Sequence, residues 1–274
     1  MIMLSRPWIV VGHIAMFVVA LSIIGPLLLV VGTSFKPANE IYAGTLWPHA
    51  FTLENYFEVF QVLPFGRYLW NSVATSVLQV AGGLVIALLA AYAFARFAFR
   101  GRQILFILVL VALMVPKQLI FLPMYLMVNN FGWFDSWAGL IVPNLAMPLA
   151  VFLLRQHLLS FPKELYDAAA MDGAGELKIL WSIVLPNLRP VMATLVIILF
   201  VESWNEYFWP LVVSETDKSI TVQIGIRRFL AAESGDQLGP LMAGVTLISL
   251  PALGVFLVFQ RRIIQTFVSV GIKG

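Results

Sequence analysis

Residues 167–186 read DAAAMDGAGELKILWSIVLP, a charged, glycine-broken stretch set between long apolar runs. On one side lies AGLIVPNLAMPLAVFLL (138–154), and on the other VMATLVIILFV (191–201). An apolar run of about 20 residues is the length a helix needs to cross roughly 30 Å of hydrocarbon. The whole 274-residue chain has this character, with 61% hydrophobic and only 11% charged residues and a mean hydropathy of +0.92. A soluble domain carries about 25% charge. The chain therefore reads as an integral membrane protein, and the polar stretch is a deliberate interruption of it.

Six apolar spans are expected, at residues 8–31, 72–94, 104–128, 137–154, 191–213 and 241–259. Each is apolar all round, as a bilayer helix is. Backbone polar groups in lipid must be satisfied internally, which excludes open sheet. The fold class is all-α, one membrane domain of six transmembrane helices, with Pro116, Pro123, Pro143, Pro148 and Pro251 as kinks within spans. The first span is too long for a removable leader and lacks a small-residue cleavage site, so it reads as an anchor. No cysteine is present, which removes disulfides, thiolate nucleophiles and Cys-based metal sites. A net charge of +3 is too small to imply nucleic acid as a partner.

Six spans place both termini on one side, and the basic residues choose it. Arg6, Arg96, Arg100, Arg102, Arg155, Lys163, Lys178, Arg189, Arg261, Arg262 and Lys273 fall together, against Lys36, Arg67, Lys218, Arg227 and Arg228 opposite. The richer side is cytoplasmic by the positive-inside rule. Residues 34–71 and 214–239 are then extracytoplasmic loops, the first carrying Tyr42, Trp47, Phe51, Tyr56 and Phe57.

The opening stretch belongs to the largest cytoplasmic segment, residues 160–190. Ser160 is expected as an N-cap and Pro162 in the first turn of a helix. KELYDAAAM (163–171) supplies strong helix formers. Gly173 and Gly175 interrupt, and ELKILWSIVL (176–185) resumes the helix as far as Pro186. Small side chains at Ala168, Ala169 and Ala170 would let another protein approach closely. The alternative is an amphipathic helix lying on the membrane surface.

This segment resembles the EAA loop of ABC-importer permeases, a pattern of Glu-Ala-Ala, three residues, Gly, nine residues, Ile, one residue, Leu-Pro. Asp167-Ala168-Ala169, Gly173, Ile183, Leu185 and Pro186 stand at that spacing, with Asp167 in place of the usual Glu. The resemblance extends along the chain to permeases for sugars and sugar-like solutes, of the maltose and glycerol-3-phosphate types. TSFKP (33–37), LENY (53–56), MVPKQ (114–118), WNEYFWP (204–210), QRRII (260–264) and VGIKG (270–274) carry it. The tail departs from the family pattern at Thr266-Phe267 and Gly271-Ile272.

The resemblance implies the type I ABC-importer permease fold in a bacterial inner membrane. It also implies that Asp167, Ala168, Ala169, Ala170, Met171, Asp172, Gly173, Ala174, Ile183, Leu185 and Pro186 couple the chain to an ATPase. The implied partners are a second, non-identical permease, two ATP-binding subunits and an extracytoplasmic solute-binding protein. A permease for a non-sugar solute and a stand-alone channel or carrier are the alternatives.

The chain has no G-x-x-x-x-G-K-[ST] phosphate loop, and His13, His49 and His157 are scattered. No enzyme site is expected, no cofactor is expected on this chain, and ATP with Mg would reside on partner subunits. Span five holds Glu202, Asn205, Glu206 and Trp209 at i, i+3, i+4 and i+7, one face of a continuous helix. Counted from Val191, Glu206 would lie about 22 Å along that helix. Charged groups inside a membrane usually face a cavity or a partner. These residues, with Lys117 of span three, are candidates for the substrate pathway, Trp204 or Trp209 stacking on a sugar ring. The other reading makes the stripe glue between permeases and pairs Lys117 with an acid, and the family-wide look of WNEYFWP favours it.

Overall fold

The computed structural model describes residues 6–227 and 238–271, and the described residues are mainly helical, with no strand among them. In chain order the helices are α1 (Arg6–Ser34), α2 (Glu54–Val62), α3 (Phe65–Arg96), α4 (Arg102–Met114), α5 (Lys117–Asn130), α6 (Trp137–Ile141) and α7 (Pro148–Leu159). They continue with α8 (Lys163–Met171), α9 (Glu176–Ile179), α10 (Leu185–Asn187), α11 (Arg189–Trp204), α12 (Phe208–Val213), α13 (Val222–Gly225) and α14 (Leu238–Gly271).

Three described helices are long and apolar enough to cross a membrane on their own: Val10–Ser34, Phe65–Arg96 and Leu238–Val258. The spans expected as single helices at 104–128, 137–154 and 191–213 are each broken. α4 and α5 meet at 105°, and Trp137–Asn144 meets α7 at 41°. Proline explains both breaks. Pro116 and Pro148 have no N–H to continue a helix, and each pushes the residue before it out of the α region. Val115 accordingly sits at φ −78°, ψ 119° and Met147 at φ −116°, ψ 79°. The third break has no proline and falls at Asn205–Tyr207, between α11 and α12. Counting as one span each of three bent pairs, α4 with α5, Trp137–Asn144 with α7, and Glu176–Asn187 with α11, gives up to six crossings by length and composition. The boundaries of the continuous helices also move outward, α3 starting at Phe65 rather than residue 72. Arg228 and the last residues of the tail motif, 272–274, lie outside the described residues, as do the side chains of Arg6, Arg261 and Arg262.

Two compact units divide the chain, Met1–Gly66 with Gly225–Pro251 and Arg67–Ile224 with Ala252–Gly274. In the first, the segment expected as a plain loop after α1 is partly helical. The buried Asn55 at the start of α2 donates its amide to the carbonyls of Ser34 (2.9 Å) and Lys36 (2.8 Å). Ser34 ends α1 and Lys36 lies just beyond it, so the amide does the work of a C-cap. Lys36, also buried, donates its ammonium to the Thr45 carbonyl.

In the second unit, one apolar cluster of buried residues is Val128, Leu140, Trp209 and Val213, with Phe121, Met124, Tyr125 and Trp133 packed on it. Gly139 is obligatory here, because a Cβ would stand 2.3 Å from the Trp133 carbonyl oxygen. Beside this cluster, Asp135 takes a left-handed conformation (φ 53°) and gathers the segment 214–219. Its carboxylate accepts from the Glu215 and Thr216 N–H groups (2.9 and 3.0 Å), the Thr216 hydroxyl (2.5 Å) and the Ser219 hydroxyl. The same segment is tied to α3, where Tyr68 donates to Asp217 (2.5 Å) and Asn71 to the Ile220 carbonyl (2.9 Å).

Burial pushes the Asp135 carboxyl up, but these four donors outweigh it and hold the group well below the usual carboxylate range. A carboxyl depressed in the folded state stabilises above its unfolded value, about 3.9, and that contribution fades as pH falls below it. Asp135→Ala should cost about 1–3 kcal/mol at neutral pH, read as unfolding of the detergent-solubilised chain. The gap between variant and native should close as the pH is lowered past 4. A gap that is already absent at pH 7 would remove Asp135 from the stability of this segment.

Candidate functional site: a helix–bend–helix loop

α8 begins after Pro162, with Glu164 in its first turn where the helix dipole favours an acid. Ser160, expected to start this helix, instead ends the previous one. It has helical dihedrals (φ −90°, ψ 0°) and its hydroxyl donates to the His157 carbonyl at 2.8 Å. An N-cap needs extended backbone, which Pro162 supplies in its place (φ −58°, ψ 127°).

The bend has a defined construction. Gly173 has φ +74°; its N–H donates to the Ala170 carbonyl and that of Ala174 to the Ala169 carbonyl, both at 3.0 Å. This pair of bonds closing over a left-handed glycine is the Schellman motif. α9 then starts from the extended Gly175 and passes into a π-helical turn at Leu180–Val184, where the Leu185 N–H reaches back to the Leu180 carbonyl. The added residue makes room before Pro186, whose ring would otherwise crowd the carbonyl one turn back. Helix therefore continues through Pro186 to Asn187, one residue past the expected end, before turning 79° into α11.

The coupling residues divide by face. Tyr166 and Ala169 point inward, whereas Asp167, Ala168, Ala170, Met171, Asp172 and Gly173 are exposed. Ala174, Ile183, Leu185 and Pro186 are half-buried. Met171 is 89% exposed and Leu177 67%, with Leu165 and Trp181 also open. Apolar side chains gathered on a polar loop mark an interaction surface.

Beneath the loop lies a set of contacts that sequence reasoning missed. Tyr92 on α3 donates to Glu176 Oε2 at 2.5 Å, and Arg96 reaches Glu176 Oε1 at 3.5 Å. The Arg96 guanidinium also sits 4.7 Å above the Tyr166 ring. Tyr166 packs against Tyr92 and Phe161 (ring centroids 6.3 and 5.2 Å), and burial pushes its hydroxyl pKa up. The available signal was Tyr92 and Arg96 at i and i+4, one face of the last turns of α3.

The polar residues of span five do not form one stripe, because α11 ends at Trp204. Glu202, on α11, pairs with Lys117, the first residue of α5. Asn205 donates its amide to the Val201 carbonyl (2.9 Å) at the C-terminus of α11. Glu206 stands in the break and accepts from the N–H groups of Phe208 and Trp209 (3.1 and 3.4 Å), capping α12. Trp204 and Trp209 are each only 2% exposed, and Trp209 donates its indole N–H to the Gly139 carbonyl at 3.0 Å. Both rings are enclosed by packing, leaving little of either face open. Together with Glu206, Ser72, Thr75, Asn144 and Thr221 the two rings border a cavity of about 20 Å³, space for roughly one water. Among the described residues no group of three or more ligating side chains could hold a metal ion.

Capping predicts a graded outcome at Glu206. Glu206→Gln keeps an acceptor oxygen and should unfold like the native chain, whereas Glu206→Ala should cost about 1 kcal/mol. Equal stability of both would show that the cap does not hold α12.

Residues 83–268 match the family described as binding-protein-dependent transport system inner membrane component. The arabinooligosaccharides transport system permease protein AraQ of Halalkalibacterium halodurans is 33% identical over 254 residues, 91% of each chain. The sn-glycerol-3-phosphate transport system permease protein UgpE of Escherichia coli is 30% identical, covering 96% of this chain and 98% of that one. A chain of a bacterial ABC transporter involved in the import of the acidic polysaccharide alginate superposes with a TM-score of 0.85 at 21% identity. That match covers 95% of this chain and 99% of the other. With its broken apolar helices and its helix–bend–helix loop, this chain belongs to the family of inner-membrane components of binding-protein-dependent transport systems.

Proposed function

We propose that the chain is the membrane-spanning permease subunit of an ATP-driven importer, forming half of the pathway for a sugar or sugar derivative. The observation that carries this is the loop 163–187, which offers Leu165, Met171, Leu177 and Trp181 outward on a base of buried tyrosines. Asp167 to Gly173 form the seat of an ATP-binding subunit, and Ile183, Leu185 and Pro186 fix the second arm of the loop. Both termini and the loop face the cytoplasm, and a solute-binding protein docks on the opposite side. A second, non-identical permease completes the pathway. ATP and Mg reside on the two ATP-binding subunits, whose closure moves the loop. Because coupling is reciprocal, a loaded binding protein favours ATP binding in turn. The Lys117–Glu202 pair and Glu206 lie beside the pathway as structural groups rather than as solute ligands.

A glycerophosphate-type solute is the second reading, supported by the E. coli relative. Reconstitution into liposomes tests both. A panel of sugars, oligosaccharides and glycerol-3-phosphate should enter only when the ATP-binding subunits, binding protein and ATP are present. Flux through the purified chain alone would make it a channel or carrier.

A further inference from the structure

The loop turns at one joint, Asp172–Gly175, between two helical arms. Arg96, the last residue of α3, reaches both arms. Its guanidinium covers the Tyr166 ring on α8 and pairs with Glu176 at the start of α9. Glu176 is held a second time from α3, by Tyr92, so each carboxylate oxygen is engaged by a different side chain of the same helix. We infer that Tyr92, Arg96, Tyr166 and Glu176 form a latch that closes the glycine joint and makes the loop and α3 move as one body. They are positioning residues, because they act through the loop and touch neither solute nor nucleotide. The inference rests on the coupling role proposed for the loop.

An exposed ion pair alone would contribute little. Here the pair is one link of a network whose two tyrosine rings are buried, at 5% and 4% exposure. Arg96 also lies at the C-terminus of α3, where the helix dipole favours a cation. Its planar guanidinium can stack and pair at once, which an ammonium does less well. Coupling needs such a contiguous element with two discrete arrangements, and a joint free to flex would absorb the displacement instead.

The absence of native cysteine allows spin labels to be placed at Lys178→Cys, on α9, and Arg100→Cys, beyond the end of α3. Both positions are exposed and outside the contacts above. The distance between them is read by pulsed electron resonance in the full transporter, without nucleotide and with ATP plus vanadate. The native chain should give one narrow distance, the same in both states. Glu176→Gln and Arg96→Gln should broaden it without nucleotide and shift it by several ångströms with ATP. Arg96→Lys, which keeps the charge but stacks and pairs less well, should give an intermediate width. A native distance that shifts with ATP overturns the latch, as do single variants that stay as narrow as the native chain. Failure of the underlying coupling role looks different: the ATP-binding subunits would then co-purify with Met171→Glu as well as with the native chain.

Discussion

Gly173→Val should leave the chain inserted in the membrane and cut ATP-driven uptake roughly tenfold or more. The residue has φ +74°, and a Cβ added there meets nothing within 4 Å. The effect is therefore conformational and not steric. A left-handed conformation costs an L-residue roughly 1–2 kcal/mol, with β-branched residues worst placed to adopt it. Each 1.4 kcal/mol is about a tenfold change in the population of the native bend. Without that bend the Schellman bonds to Ala169 and Ala170 open, and Met171 and Asp172 leave the surface they share. Gly173→Asn supplies the control, because asparagine tolerates the left-handed region and should recover most of the uptake. Uptake by reconstituted vesicles, normalised to the amount of chain, is the measurement. Equal activity of the valine and asparagine variants would separate uptake from the shape of the bend.

Trp209→Ala is expected to have the largest effect on stability, about 3–5 kcal/mol. Its ring is buried among Val128, Leu140 and Val213, with Phe121 against it at 6.1 Å. The substitution opens a cavity there and strips the Gly139 carbonyl of its indole donor. Trp209→Phe keeps most of the volume and loses the hydrogen bond, so it should fall between. Chemical unfolding in detergent gives the order native, Phe, Ala. A ring that served the solute would behave otherwise: uptake would be lost by Trp209→Ala at native stability.

Hydropathy was the strong signal in this sequence, and it located material rather than direction. The continuous helices α1, α3 and α14 cover the expected first, second and sixth spans, because nothing inside those runs forces a break. Pro26 and Pro251 lie within α1 and α14 without ending them. Pro116, by contrast, stands at a 105° turn. The sequence marks each proline equally, and only the packing around it decides between tolerated kink and corner. The loop at 160–190 was legible because Gly173 declares a left-handed residue wherever a helix must stop. The stripe Glu202–Trp209 was misread for the converse reason. Its spacing is helical, yet the chain breaks at Asn205–Tyr207 without a proline, and Glu206 restarts the helix by capping. Spacing put Tyr92 and Arg96 on one face of α3 but gave no sign of their partner, since they lie 84 and 80 residues from Glu176. Only the fold brings them together.

The π-helical turn at Leu180–Val184 carries a consequence for the phase of the whole loop. One residue in an α-helix occupies about 100° of azimuth, so the extra residue sets the rotational index at which Leu177 and Trp181 face outward relative to α11. Deleting a single residue within 180–184 would re-index that helix by about a third of a turn. The same side chains would be kept, aimed at a different sector. The motif thus stores an angle as well as a set of contacts, and a frame-preserving deletion there should be more disruptive than any one substitution of the residues it removes.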